Sequence, residues 1–156
     1  MPLPPFQAAL DEHRDAVARF LVATVGPQEA EDCLQDTLLS ALRAYPRLRA
    51  GSNVRAWMLT IARNKALDSH RARARRAVPV GDPPERPDPN GAPPDAADEE
   101  LWAAVRALPP KQRLAVVLRF VSDLSHREIA AVLDCSEAAA RRSLHEGLAK
   151  LREEWT

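Results

Sequence analysis

Several things are scarce in this chain of 156 residues, and each scarcity excludes something. Two cysteines, Cys33 and Cys135, stand in different halves with no second ligand at metal spacing. They read as reduced, small core residues rather than as a disulfide or a zinc site. Five glycines leave no room for a glycine-rich phosphate loop, and the four histidines have no serine or cysteine partner in a recognisable catalytic motif. Neither an enzyme nor a metal or other cofactor is expected. Apolar runs such as residues 20–25 fall far short of the roughly 18 residues a membrane-crossing helix needs, and the opening residues lack a signal-peptide pattern. A cytoplasmic location follows as the expectation.

What is present is a charge pattern hidden beneath a net charge of zero. Residues 1–76 hold twelve Lys/Arg against eight Asp/Glu, residues 77–100 hold Arg86 against seven acids, and residues 101–156 hold nine against seven. The middle stretch also carries seven of the fourteen prolines, which fix φ and remove amide donors. It reads as a flexible linker between domains 1–76 and 101–156. Its length would span up to roughly 80 Å when extended, so the two domains need not touch.

Both flanks are helical by periodicity, and no strand-like alternation is found. Phe6, Leu10, His13, Val17 and Phe20/Leu21 recur at helical spacing until Gly26-Pro27 breaks the run. In a second helix, from about Gln28 to Tyr45, residues Cys33, Leu34, Leu38, Ala41, Leu42 and Tyr45 form the core face. Asp32, Gln35, Asp36 and Leu39 share another face that no core requires. A leucine framed by acids suits a docking surface, and it equally suits a solvated face with one stray leucine.

A third helix follows Asn53, a plausible N-cap, with Val54, Trp57, Met58 and Ile61 turned inward. Arg55, Arg63, His70 and Arg73 lie within an arc of about 80°, and Arg71, Arg75 and Arg76 add to the basic density. Such density suits a phosphate backbone, while Asn64 carries an amide able to address a base. The alternative is a helix end whose cations simply complement its dipole.

In the last third, Ser125-His126-Arg127-Glu128 fits a capping box, Asp134-Cys135-Ser136 a turn, and Ser136 the cap of a helix with Ala140, Leu144, Leu148 and Leu151 inward. This is the pattern of a helix-turn-helix. Ala138, Ala139, Arg142, His145, Glu146 and Ala149 stand opposite, with Arg141 on the flank.

"AEDCLQDTLLSALRAYPRL" with "NVRAWMLTIARNKALDSHRARARR" resembles the second conserved region of extracytoplasmic-function sigma factors, and "LPPKQRLAVVLRFVSDLSHREIAAVLDCSEAAARRSLHEGLAKLR" resembles their fourth. The resemblance implies an all-α fold of two small helical domains joined by the Pro-rich acidic linker. It implies an alternative sigma factor that binds the β′ coiled coil and β flap of core RNA polymerase, recognises promoter DNA and answers to an anti-sigma factor. By the same resemblance Asp32, Gln35, Asp36 and Leu39 would grip polymerase. Asn53, Arg55, Arg63, Asn64, Lys65, Arg71 and Arg73 would contact the −10 element. Ser136, Ala138, Arg141, Arg142 and His145 would contact the −35 element. Tyr45 and Trp57 are expected to be mainly core, and the apolar side of Leu114 to Phe120 is expected, with Leu39, under a regulator. The recognition helix departs from the family, with Ser143 and Glu146 where arginines are common. A promoter-incompetent module derived from a sigma factor, or a stand-alone helix-turn-helix regulator, therefore stays open as the alternative.

Overall fold

The computed structural model describes residues 2–75 and 96–154, and all regular structure among them is helical. Helix α1 (Phe6–Val25) ends where Gly26 adopts φ +88°, a backbone region favouring glycine, and Pro27 opens α2 (Pro27–Ala44) with its pre-set φ. A 3₁₀ turn at Tyr45–Arg47 leads to the loop before α3 (Val54–Arg75). Asn53 caps α3 as expected, its Oδ1 accepting from the Ala56 N–H at 3.1 Å. These three helices pack on one another around Val17, Phe20, Leu21, Cys33, Met58 and Leu59. Leu59 lies wholly in this core although the periodic reading passed it over, and Ile61 is only half-buried.

At the amino-terminal end of the bundle Tyr45 is sandwiched between Phe6 and Trp57, with ring centroids 5.2 and 6.1 Å away. Its hydroxyl donates to the Pro4 carbonyl. Tyr45 and Trp57 are half-buried and packed against the core, in keeping with a structural role.

The second bundle comprises α4 (Ala96–Ala107), α5 (Pro110–Phe120), α6 (His126–Leu133) and α7 (Glu137–Glu154). The first turn of α4 lies inside the segment expected to be linker; the rest of that segment and Arg76 lie outside the described residues. The capping box on α6 is complete: Glu128 N–H donates to Ser125 Oγ and the Ser125 N–H donates to Glu128 Oε1, both at 3.1 Å. Asp134 closes α6 in the left-handed region at φ 54°, and Ser136 Oγ then accepts from the Ala139 N–H at 3.0 Å to start α7. Helices α5 and α7 cross closely at Gly147, where an added Cβ would meet Val116 Cγ2 at 3.0 Å.

The two bundles are in contact. α1 packs on α4 and α5, α3 packs on α6, and one apolar cluster runs through both. A reach that allowed separation is thus accompanied by direct docking. Arg113 of α5, only 8% exposed, reaches across: its Nη1 donates to the Thr24 carbonyl near the end of α1 and its Nη2 to the Leu108 carbonyl, each at 3.3 Å. The negative end of the α1 dipole thereby meets a cation. Burial, and then the positive charges of Arg106 and Arg73, push the Arg113 guanidinium below its ordinary value.

Two expectations are corrected by these placements. Cys135 sits exposed in the α6–α7 turn, because that turn projects its side chains outward, whereas Cys33 is buried as expected. Leu114 lies in the core of the second bundle and is unavailable to a regulator; of that segment Phe120, at 64% exposure, is the residue that faces out.

Candidate nucleic-acid interface

On α2, Ala30, Cys33, Thr37 and Ala41 turn inward, and the opposite side carries Asp32, Gln35, Asp36 and Leu39, all exposed. Leu42, expected in the core, instead joins them: it is 52% exposed beside Leu39 at 51%. The helical wheel explains the correction, since Leu42 lies about 140° from the middle of the buried arc and only about 60° from Leu39. The stripe is therefore two leucines bordered by carboxylates and an amide, with no hydrogen bond or ion pair to other described residues from Asp32, Gln35 or Asp36. Such a face suits a partner that has both apolar and basic groups.

The basic face of α3 is divided. Arg63 and Asn64 are linked, the Arg63 Nη1 donating to Asn64 Oδ1 at 3.0 Å, with Asn64 exposed and Arg63 and Lys65 partly buried. Arg71 is exposed and has no hydrogen bond or ion pair among the described residues. Arg73 is drawn back to α2, its Nε 3.0 Å from Glu29 Oε1, and Ser69 donates to the same carboxylate. Asn53 and Arg55 are drawn the other way, toward the second bundle. Asn53 Nδ2 donates to Glu128 Oε2 at 3.3 Å, and the Arg55 guanidinium donates to the Ser122 carbonyl. The Ser125 backbone N–H chiefly, with Asn53 and Arg55 contributing less, holds the Glu128 carboxyl below the usual glutamate value.

The outward side of α7 presents Ala138, Arg141, Arg142 and His145, all exposed, in the first half of the helix. Short alanines beside two arginines leave the backbone able to enter a groove while the guanidinium groups reach base edges. Arg141 pairs with Glu137 at 2.9 Å, an exposed i,i+4 contact weak enough to be exchanged for another anion. Ser136 is engaged as the helix cap. The two departures noted in the sequence differ in kind. Ser143 is half-buried, and Glu146 is on the flank toward α5, where its Oε2 accepts from Gln112 Nε2 at 3.3 Å. Glu146 is thereby diverted from the middle of the outward face.

Sequence reasoning missed Glu128, Ser122 and Arg113 as partners of the other domain. No local signal marks them, because each contact joins residues 67 to 89 positions apart. Among the described residues no cluster of three or more His, Cys, Asp or Glu is arranged to hold a metal ion. No helix among them is long and apolar enough to cross a membrane.

Both bundles are matched by known proteins. Residues 9–76 match the family described as Sigma-70 region 2, and residues 98–151 match Sigma-70, region 4. The chain is 36% identical to the RNA polymerase sigma factor CarQ of Myxococcus xanthus, across 95% of this chain and 87% of that protein. It is 34% identical to the ECF RNA polymerase sigma factor SigD of Mycobacterium tuberculosis, across 93% of this chain and 74% of that one. Among solved structures, the sigma factor RpoE of Bartonella quintana, in complex with the anti-sigma factor NepR, superposes with a TM-score of 0.77 and 27% identity over 95% of this chain and 94% of its own.

Proposed function

The chain belongs to the extracytoplasmic-function sigma factors of the sigma-70 family, alternative subunits with which RNA polymerase initiates transcription, and from that premise we propose how its surfaces divide the work. The α2 stripe of Asp32, Gln35, Asp36 and Leu39, extended by Leu42, docks on the β′ coiled coil. The second bundle meets the β flap. Asn53, Arg55, Arg63, Asn64, Lys65, Arg71 and Arg73 serve the −10 element: arginines neutralise phosphates and give salt-sensitive affinity, and the amides discriminate bases. Ser136, Ala138, Arg141, Arg142 and His145 serve the −35 element from the major groove. The chain performs no catalysis, works in the cytoplasm and is controlled by an anti-sigma factor. That last partner is supported by the RpoE match, which runs through both bundles of a sigma factor solved with its own anti-sigma factor.

The observation that carries the assignment is the exposed α2 stripe, because an amphipathic helix that leaves two leucines in solvent between acids needs a partner to cover them. Gln35→Ala with Asp36→Ala should reduce core-polymerase binding about tenfold or more with helix content unchanged, since neither side chain contributes to the core. Holoenzyme formation at the wild-type level would refute the assignment. Transcription from pooled genomic fragments, with core polymerase in the presence and absence of the chain, tests the promoter roles: new start sites sharing two spaced motifs are expected. A stand-alone regulator would instead shift DNA without polymerase. Diversion of Glu146 toward Gln112 weighs against the promoter-incompetent alternative, because it removes the acid from the middle of the reading face.

A further inference from the structure

Gln112 of α5 belongs to none of the surfaces assigned above, and its amide is held at the crossing with α7 with one end unsatisfied. Its Oε1 is buried with no hydrogen-bond partner among the described residues, while its Nε2 donates to Glu146 Oε2 at 3.3 Å. A buried acceptor without a partner lowers stability, so an amide at this place asks for a reason that packing does not provide. The crossing keeps the amide within reach of α7. Gly147, next to Glu146, has no Cβ, and one added there would stand 3.3 Å from both Gln112 Cβ and the Gln112 carbonyl oxygen.

The reason lies in what Glu146 would otherwise do. It follows Arg142 by four residues, which sets the two side chains about 40° apart around α7 and about 6 Å apart along it. Residues at that spacing can pair, and Arg141 does so with Glu137 at 2.9 Å. Arg142 does not. It is exposed, with no hydrogen bond or ion pair to other described residues, and Glu146 is turned to Gln112 instead. An arginine followed by a glutamate is the weaker order for such a pair, so a hydrogen bond from a fixed amide competes well for the carboxylate. Two consequences bear on DNA. The Arg142 guanidinium keeps its full fork of donors, the group that addresses guanine O6 and N7. A carboxylate that in the groove would repel phosphates, or accept from cytosine N4, is kept on the flank.

We propose that Gln112 is a positioning residue for −35 recognition: by holding Glu146 against α5 it leaves Arg142 free to read DNA and sets the base preference of the outward face of α7. The proposal rests on the −35 assignment of Arg142, and Gln112 acts on DNA only through Glu146.

Gln112→Met tests this cleanly, because it keeps the bulk at the crossing, removes the donor and also removes the unpaired Oε1, so the fold should be at least as stable as wild type. In the isotope-labelled free chain, the Gln112 side-chain amide resonances, identified by their loss in Gln112→Met, should move in Glu146→Gln; unmoved resonances would overturn the contact. In the holoenzyme, the readout is transcription from a promoter fragment recovered from the genomic pool, divided by that from a copy with its upstream motif scrambled. Gln112→Met should lower this ratio several-fold, and in a Glu146→Gln background the same substitution should change nothing. Equal losses in both backgrounds would show that Gln112 acts on the crossing and not through Glu146, and no loss in either would show that the placement of Glu146 is irrelevant; each result overturns the proposal. The −35 assignment fails separately: the ratio would then be one for wild type, or be kept in full by Arg142→Ala, whatever the amide resonances report.

Discussion

The Glu128 carboxylate accepts two hydrogen bonds from different domains, one from the Ser125 N–H that closes its own helix cap and one from Asn53. Its folded-state titration is depressed below the ordinary value of 4.5, so the unfolded chain binds the proton more tightly than the folded one. The stabilising contribution is therefore present above the ordinary value and is lost as pH falls through the lower, folded one. Wild type should be more stable than Glu128→Ala by about 1 kcal/mol at neutral pH, the usual scale of a lost cap. Urea titrations at decreasing pH should show that difference shrinking below 4.5; a constant difference would mean the carboxylate's charge is irrelevant. The cap itself was legible from Ser125 and Glu128, because capping is local. The bond to Asn53 was not, since it depends on where a distant helix docks. Cys135 and Leu42 illustrate the same limit: apolar character says that a residue can be buried, and only the tertiary arrangement decides whether it is.

At the scale of elements, helix starts were read well where a side chain caps them, as at Asn53, Ser125 and Ser136. The α4 start was not, because the prolines before it and the acids within its first turn look like linker, although acids at a helix N-terminus favour it. Gly147 is a further case. Glycine inside an exposed helix costs about 1 kcal/mol relative to alanine, so its presence in α7 asks for a reason. The reason is the α5–α7 crossing: a Cβ there would lie 3.0 Å from Val116 Cγ2 and 3.3 Å from both Gln112 Cβ and the Gln112 carbonyl oxygen. A side-chain methyl can yield a few tenths of an ångström, but the helix backbone of α5 yields less. Gly147→Ala should therefore lose more through overpacking than it gains in propensity, a net destabilisation of about 1 kcal/mol. Thermal unfolding checks this, and a raised midpoint would show that the crossing has slack. The crossing also sets the angle at which Arg141 and Arg142 are presented, so the same change should weaken −35 binding in the holoenzyme.

For the whole molecule, composition gave two domains and a tether, and it was silent on whether the domains meet. Their junction is made of contacts that leave little trace in periodicity: an arginine on two backbone carbonyls, another on a third, and an asparagine on a capping glutamate. It is also poorly neutralised. Arg113 and Arg106 are both pushed down by burial and by neighbouring positive charge, with Glu99 opposing the effect at Arg106. A cavity of about 310 Å³ lies among Thr24, Ser69, His70, Arg73, Arg106 and Arg113. Apolar continuity favours the docked state, whereas this repulsion opposes it. The balance is measurable. With the bundles sharing one apolar cluster, calorimetry of the free chain at moderate ionic strength should give one cooperative transition. Arg113→Met removes both the cross-domain hydrogen bond and one of the repelling charges. If the hydrogen bond dominates, the transition should split into two, each bundle melting by itself; if repulsion dominates, one transition should persist at a higher midpoint. The first outcome is expected, because the Thr24 carbonyl has no replacement donor from methionine and sits at the negative end of α1.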